Sequence, residues 1–170
     1  NTAFAENPNY AQITPLLNGD MKKLNFHLDP KDVSNLPFVD ENGQEFAFAD
    51  YTGKYVLVNF WATWCAPCRK EMPGLSELQT QLQSDTFEVV TLATGRNSPA
   101  AIADFFDKIE VSNLPRFQDP KQRIAREMAI LGLPMTIILS PDGQEIARLR
   151  GDADWASQDA IAVLSALTAK

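Results

Sequence analysis

Apolar residues in this chain cluster in short runs separated by polar turns. The runs Tyr55–Phe60, Phe87–Ala93 and Met135–Leu139 are rich in Val, Ile and Leu, which predicts strands. The unbroken apolar run inside the first of these is typical of a strand buried on both faces, as in a parallel sheet. Asp142-Gly143 predicts a tight turn into an antiparallel partner, Glu145–Arg150.

Helical spacing appears between the runs. The segment from about Cys65 to Gln83 places Leu75, Leu78 and Leu82 on one face. Further helices are predicted where a capping residue or a polar start precedes apolar positions. They are a helix from Pro99 to about Ile109 capped by Ser98, a helix at 121–129, and a last helix at 155–169 capped by Asp154.

The N-terminal part is divided at residue 36. Residues 1–35 read as a lead-in, with a mobile stretch and a short docking helix in its first 20 residues. Leu36 to Phe48 predicts a hairpin around Asn42-Gly43. Residues 36–170 then form one α/β domain: a central mixed sheet flanked by helices, with an N-terminal β-hairpin and a central helical insertion around 95–125.

Length and charge narrow the class of function. The 170 residues fit a single hydrophobic core, and no run of about 18 apolar residues predicts a membrane span. The net charge is −7 and the basic residues are scattered, so attraction to nucleic acid is not expected.

The chemistry is predicted at Cys65-Ala66-Pro67-Cys68, which holds both cysteines of the chain. A disulfide across so short a loop braces little, so the pair is free for redox chemistry. Cys65 follows a strand and begins a helix, where unpaired N–H groups and the helix dipole favour a thiolate. Cys65 is therefore the expected nucleophile and Cys68 the residue that resolves the mixed disulfide.

A zinc site is disfavoured because it needs about four ligands, and the chain has two Cys and one His, His27. Arg69 follows the second Cys where covalent haem attachment would require His. No cofactor is expected beyond the dithiol itself. A Cu(I) dithiolate stays open as an alternative.

Gly132-Leu133-Pro134 directly precedes a predicted strand. Alone, such a proline is usually a turn residue, but in the α/β fold predicted above we expect Pro134 to be cis and to face the dithiol. The backbone of Leu133 would then pair with an extended substrate segment, beside the apolar surface of Pro67. Trp64 is expected to be exposed next to Cys65 for contact with a partner, Trp61 to pack beneath the loop, and His27 to lie on the surface.

Residues 61–73, Trp-Ala-Thr-Trp-Cys-Ala-Pro-Cys-Arg-Lys-Glu-Met-Pro, resemble the TlpA/ResA-like thiol–disulfide oxidoreductases of the thioredoxin superfamily. Glu145-Ile146-Ala147 and Gly151-x-Ala153-x-Trp155-Ala156-Ser157 favour the TlpA branch. The resemblance covers about residues 36–169 and implies a thioredoxin-like fold.

The resemblance also implies a role. Similar proteins face the bacterial periplasm, anchored by an N-terminal segment, and act as reductants in cytochrome oxidase or cytochrome c biogenesis. Expected partners are a copper chaperone or an oxidase copper-site subunit as client, and a membrane thiol-transfer protein as electron donor. We expect a monomer whose full-length form is anchored to the inner membrane by a segment preceding Asn1. A disulfide-forming oxidant is the alternative enzyme.

One position departs from thioredoxin itself. Six residues before the first Cys, thioredoxin has a buried Asp, and this chain has Asn59, which cannot accept a proton. The TlpA/ResA-like branch carries an acid three residues after the second Cys, here Glu71. Glu71 is therefore a candidate to modulate the thiol pKa values, with an exposed helix carboxylate as the alternative.

Overall fold

A computed structural model describes residues 10–169. Its strands are β1 (Leu24–Lys31), β2 (Phe38–Val39), β3 (Glu45–Phe46), β4 (Tyr55–Trp61), β5 (Phe87–Thr94), β6 (Phe117–Asp119), β7 (Met135–Leu139) and β8 (Glu145–Arg150). Its α-helices are α1 (Tyr10–Ile13), α2 (Ala66–Leu82), α3 (Pro99–Lys108), α4 (Arg123–Glu127) and α5 (Gln158–Thr168). Short 3-10 helices lie at Thr14–Leu16, Gly19–Lys23 and Phe48–Tyr51.

The described strands form one mixed sheet in the order β1-β8-β7-β4-β5-β6-β2-β3. β4 pairs in parallel with β5 and antiparallel with β7, so it lies near the middle of the sheet. Every residue of β4 after Tyr55 is buried, as its apolar run predicted. The predicted α/β class with a mixed sheet, flanking helices and an N-terminal β2–β3 hairpin is confirmed.

Alternation along β4 divides the core into two clusters. Leu57 and Trp61 face the cluster built with α2, α3 and α5. Val58 and Phe60 face the opposite cluster, which includes Phe48 and residues of α4. Asn59 shares the side of Leu57 and Trp61, so a polar side chain at the centre of the sheet points toward α2.

Two strands were not predicted. β1 lies within the predicted lead-in of residues 1–35, yet it pairs with β8, so the sheet begins at Leu24. It is an edge strand, exposed from Leu28 onward, and its apolar signal is correspondingly weak. β6 lies in the predicted central helical insertion around 95–125, where two prolines flank three residues that form a strand pairing with β5 and β2.

Two helix boundaries were wrong for identifiable reasons. α5 begins at Gln158, because Ser157 and not Asp154 caps it: Ser157 Oγ accepts from the Ala160 amide at 3.1 Å. α4 is shorter than predicted, because Gln122 has a left-handed backbone with φ of 55°. The Ser98 cap on α3 is confirmed, with Ala101 N donating to its hydroxyl.

The N-terminal predictions are tested only in part. Residues 1–9 of the predicted mobile lead-in lie outside the described residues. The short helix α1 follows directly, and its Ile13 is buried in the core. Within residues 10–169, no helix combines the length and the apolar character needed to cross a membrane.

Candidate active site

The two cysteines lie where β4 passes into α2. Cys65 is the N-terminal capping residue of the helix, in an extended conformation, and its Sγ accepts from the Cys68 amide at 3.4 Å. Cys68 lies in the first turn, and the two residues form a disulfide with Cα atoms 5.3 Å apart. Pro67 fits between them because amides in the first turn of a helix have no helical partner.

The two sulfurs differ in access. Cys65 is 7% exposed at the surface, and Cys68 is completely buried. An incoming disulfide can therefore approach Cys65 and not Cys68. This asymmetry agrees with the predicted assignment of Cys65 as nucleophile and Cys68 as resolving residue.

A buried asparagine holds the turn that presents Cys65. Asn97 Oδ1 accepts from the Thr63 amide at 2.7 Å and from the Thr63 hydroxyl at 3.0 Å. Asn97 Nδ2 donates to the carbonyl of Thr94 at the end of β5. Asn97 thus ties the loop before Cys65 to the neighbouring strand, a role that the sequence analysis missed because the contact spans 34 positions.

An apolar cleft of about 420 Å³ opens beside Cys65. Trp64, Pro67 and Leu133 line it together with Cys65. Trp64 is 65% exposed, as predicted. Leu131 also lines the cleft and is 89% exposed, an apolar surface residue that the sequence analysis did not single out.

The Leu133–Pro134 peptide bond is cis, as expected. Pro134 itself lines an adjoining depression and not the cleft of Cys65. The structure thus brings Trp64, Pro67 and Leu133 together around Cys65, with Pro134 as their immediate neighbour.

Glu71 is buried, 4% exposed, and not the solvated helix carboxylate of the alternative interpretation. Its Oε1 accepts from Asn59 Nδ2 at 2.6 Å. Its Oε2 accepts from the Trp155 indole at 3.1 Å and from the Ala153 amide at 3.2 Å. Glu71 and Cys68 are three residues apart on α2 and both face the interior, so they are neighbours on one helix face.

Burial raises the pKa of the Glu71 carboxyl from 4.5 to about 7. The three hydrogen bonds that it accepts favour the charged form and oppose this rise, while the charge of Asp152 adds to it. Removal from water dominates because a buried carboxylate loses most of its hydration. The chain therefore keeps a carboxyl group that titrates near neutral pH beneath the dithiol.

Trp155 and Ala153 are functional neighbours that the sequence analysis quoted without a role. Both lie in the segment on which the sequence analysis based its resemblance to the TlpA branch, and both donate to Glu71. The available signal was Trp155 itself, since a fully buried indole requires an acceptor for its N–H.

The predictions for Trp61 and His27 had different outcomes. Trp61 is buried and packs against Phe105 and Phe106 of α3, as expected. His27 is not a free surface residue: its side chain is 9% exposed, and its Nε2 lies 2.5 Å from Glu145 Oε2. That prediction was wrong because the carboxylate comes from β8, the strand that pairs with the unpredicted β1.

The described residues contain no cluster of three or more His, Cys, Asp or Glu side chains arranged to hold a metal ion.

Residues 24–146 match the model of the AhpC/TSA family, which covers more than half of the chain. The chain belongs to the AhpC/TSA family.

One curated relative carries the same class of activity in its name. The thiol-disulfide oxidoreductase ResA of Bacillus subtilis is 31% identical over 120 residues, which are 71% of this chain and 66% of the relative. This similarity confirms the predicted TlpA/ResA-like resemblance. With Cys65 and Cys68 as its dithiol, the chain is a thiol–disulfide oxidoreductase.

Solved structures confirm the thioredoxin-like fold. A DsbF homologue from Corynebacterium diphtheriae superposes with a TM-score of 0.70 at 26% identity, covering 85% of this chain and 93% of the homologue. A secreted thiol-disulfide isomerase from Corynebacterium glutamicum gives 0.70 at 20% identity, covering 89% and 93%. At such identity the second likeness concerns the fold alone.

Proposed function

We propose that this AhpC/TSA family member is a reductant of specific protein disulfides outside the cytoplasm. The observation that carries the proposal is the asymmetry of the dithiol: Cys65 borders an apolar cleft, and Cys68 is sealed beneath it. A cleft lined by Trp64 and Leu133 fits a polypeptide client, because it offers open apolar surface and not an enclosed pocket.

The reaction consists of two exchanges. The Cys65 thiolate attacks one sulfur of the client disulfide, the client S–S bond breaks, and the other client sulfur leaves as a thiolate. Cys68 then loses its proton and attacks the Cys65 sulfur of the mixed disulfide. The second client thiolate departs, both client cysteines are reduced by two electrons in total, and the Cys65–Cys68 disulfide remains.

Glu71 is proposed as the group that handles the Cys68 proton. Cys68 is fully buried, so its thiol has no direct contact with water. A carboxyl group with a pKa of about 7 on the same helix face is suited to accept a proton near neutral pH. Asn59 occupies the position at which thioredoxin has its buried acid. Its amide cannot exchange a proton with the thiol, and it donates a hydrogen bond to Glu71.

The proposed setting follows the TlpA/ResA-like resemblance. The clients would be a copper chaperone or an oxidase copper-site subunit, in cytochrome oxidase or cytochrome c biogenesis. The electrons would come from a membrane thiol-transfer protein, since a dithiol in an oxidising compartment needs a donor to stay reduced. We further propose a periplasmic location with an N-terminal membrane anchor.

The test is a trapping experiment. A Cys68→Ser variant keeps the nucleophile and lacks the resolving thiol, so mixed disulfides through Cys65 should accumulate with extracytoplasmic proteins. The matched Cys65→Ser variant should trap none. Recovery of extracytoplasmic copper-protein subunits would support the setting proposed above. Equal trapping by both variants would contradict the proposed chemistry.

A further inference from the structure

A basic pocket adjoins the active-site cleft. It is a depression of about 300 Å³ between the outer strands β1 and β8 and the segment that follows α4, and no carboxylate is among its lining residues. Four cationic side chains line it: Lys23, Lys31, Arg148 and Arg150. Such a concentration of positive charge is unexpected in a chain whose net charge is −7.

The basic pocket is continuous with the cleft of Cys65. Leu131 lines the basic pocket, the active-site cleft and the depression between them, which also contains Pro134. Arg150 lines both the basic pocket and that middle depression. A single surface groove therefore leads from Cys65 past Leu133 and over the exposed Leu131 to the cations.

The four cationic side chains differ in how many contacts they make with the rest of the protein. Arg148 donates to both oxygens of Glu145 and to the carbonyls of Met128 and Ala129. It is therefore committed to holding the segment before Leu131. Lys23 donates to the Asp152 carbonyl and lies 3.7 Å from Asp20.

Lys31 and Arg150 have no such commitment. Both are exposed, and within residues 10–169 neither forms an ion pair or a side-chain hydrogen bond. Lys31 and Arg150 line the groove, and the buried carboxylate nearest to them, Glu145, is already paired with Arg148 and His27. These two side chains are free to bind an anionic group.

We propose that this groove selects clients with an acidic residue a few positions from the reactive cysteine. This inference rests on the proposed function and names its substrate class. The client would lie extended, with its cysteine at Cys65, an apolar side chain on Leu131, and a carboxylate at Arg150, while Lys31 adds positive charge farther along the same pocket. An acidic client is repelled by the net negative charge of this chain, so local attraction here would select which segment docks.

The experiment uses synthetic peptides of one length with a single cysteine, carried as a mixed disulfide with thionitrobenzoate. One peptide has Glu a few residues from the cysteine, the second has Gln there, and the third has Lys. Reduced wild-type protein attacks the mixed disulfide between the peptide and thionitrobenzoate. The rate is followed by the release of thionitrobenzoate as this disulfide is reduced. We expect the Glu peptide to react about fivefold faster than the Gln peptide at low salt, the size that one or two partly exposed ion pairs provide.

Charge-reversal variants locate the effect. Arg150→Glu and Lys31→Glu should abolish or invert the preference for the Glu peptide and leave the rate with the Gln peptide within about twofold of wild type. Lys108→Glu is the matched control, because it makes the same charge change on α3, away from the groove. The Lys108→Glu variant should keep the preference for the Glu peptide. In wild type, added salt should reduce that preference.

The outcomes separate this inference from the proposed function. Equal rates with all three peptides in wild type, or a preference that survives Arg150→Glu and Lys31→Glu together, would overturn the acidic-client inference while the reductase activity stands. Failure of every peptide to react, the Gln peptide included, would overturn the proposed function. Suppression of the preference by millimolar inorganic phosphate at constant ionic strength would support an anion site in the groove.

Discussion

Asn59 of β4 donates from its Nδ2 to Oε1 of Glu71 on α2 over 2.6 Å, in the fully buried space beneath the dithiol. The same Nδ2 donates to the Thr136 hydroxyl. Among the described residues, Asn59 Oδ1 is the buried side-chain polar atom left without a partner. A half-turn of the amide would offer this oxygen to a protonated Glu71, so Asn59 can serve both charge states of the carboxyl.

The first prediction concerns stability against pH. The pKa of Glu71 is raised from 4.5 to about 7 by burial, so the native state holds this proton in a range where the unfolded chain has lost it. Stability from this group is therefore fully present below about pH 4.5 and is lost as the pH rises to about 7. The shift corresponds to about 3 kcal/mol.

Glu71→Gln removes this titration. The free energy of unfolding of the variant, relative to wild type, should increase by up to about 3 kcal/mol between pH 4.5 and pH 8 and change little above that. Denaturant unfolding of the oxidised proteins measures it. A difference that is constant across this pH range would mean that Glu71 does not titrate there.

The second prediction concerns the thiols. Removing the negative charge of Glu71 from the helix face that carries Cys68 should move the thiolate absorbance curve of the reduced protein toward lower pH. Glu77→Gln is a matched control, since Glu77 lies on the same helix in an exposed position. Curves that coincide for wild type and Glu71→Gln would exclude coupling between Glu71 and the dithiol.

The third prediction concerns access. With limiting alkylating agent, the reduced protein should be modified mainly at Cys65, because Cys68 is completely buried. Peptide mass analysis assigns the label, and Cys65→Ser should label far more slowly than Cys68→Ser. Preferential labelling of Cys68 would reverse the two roles.

The fourth prediction concerns the loop before Cys65. Asn97→Ala leaves the Thr63 amide without its acceptor, so it should cost about 1–3 kcal/mol of stability and slow disulfide exchange. Asn113→Ala is the matched control. Asn113 makes comparable bonds to Ser76 and Thr80, away from the dithiol, so its loss should lower stability and leave exchange unchanged. Exchange slowed equally in both variants would show a general effect of instability.

Local signals predicted the strands around the dithiol, because each depends on neighbours in the sequence, and the fold expected from those elements predicted the cis peptide at Pro134. The missed features depend on pairing across the chain. β1 is an exposed edge strand defined by β8, and the bond between His27 and Glu145 forms only once those strands pair. Burial of Glu71 likewise arises from Asn59, Ala153 and Trp155, whose approach no local spacing encodes.

The reduction potential tests the central claim of a reductant most directly. Ala66 and Pro67 place no imidazolium between the cysteines, so the reduced form gains less stabilisation than in strong oxidants of this fold. A Pro67→His variant supplies that group and should be more oxidising than wild type. Equilibration of wild type against glutathione should give a potential more negative than about −180 mV, and a value near −120 mV would contradict the account.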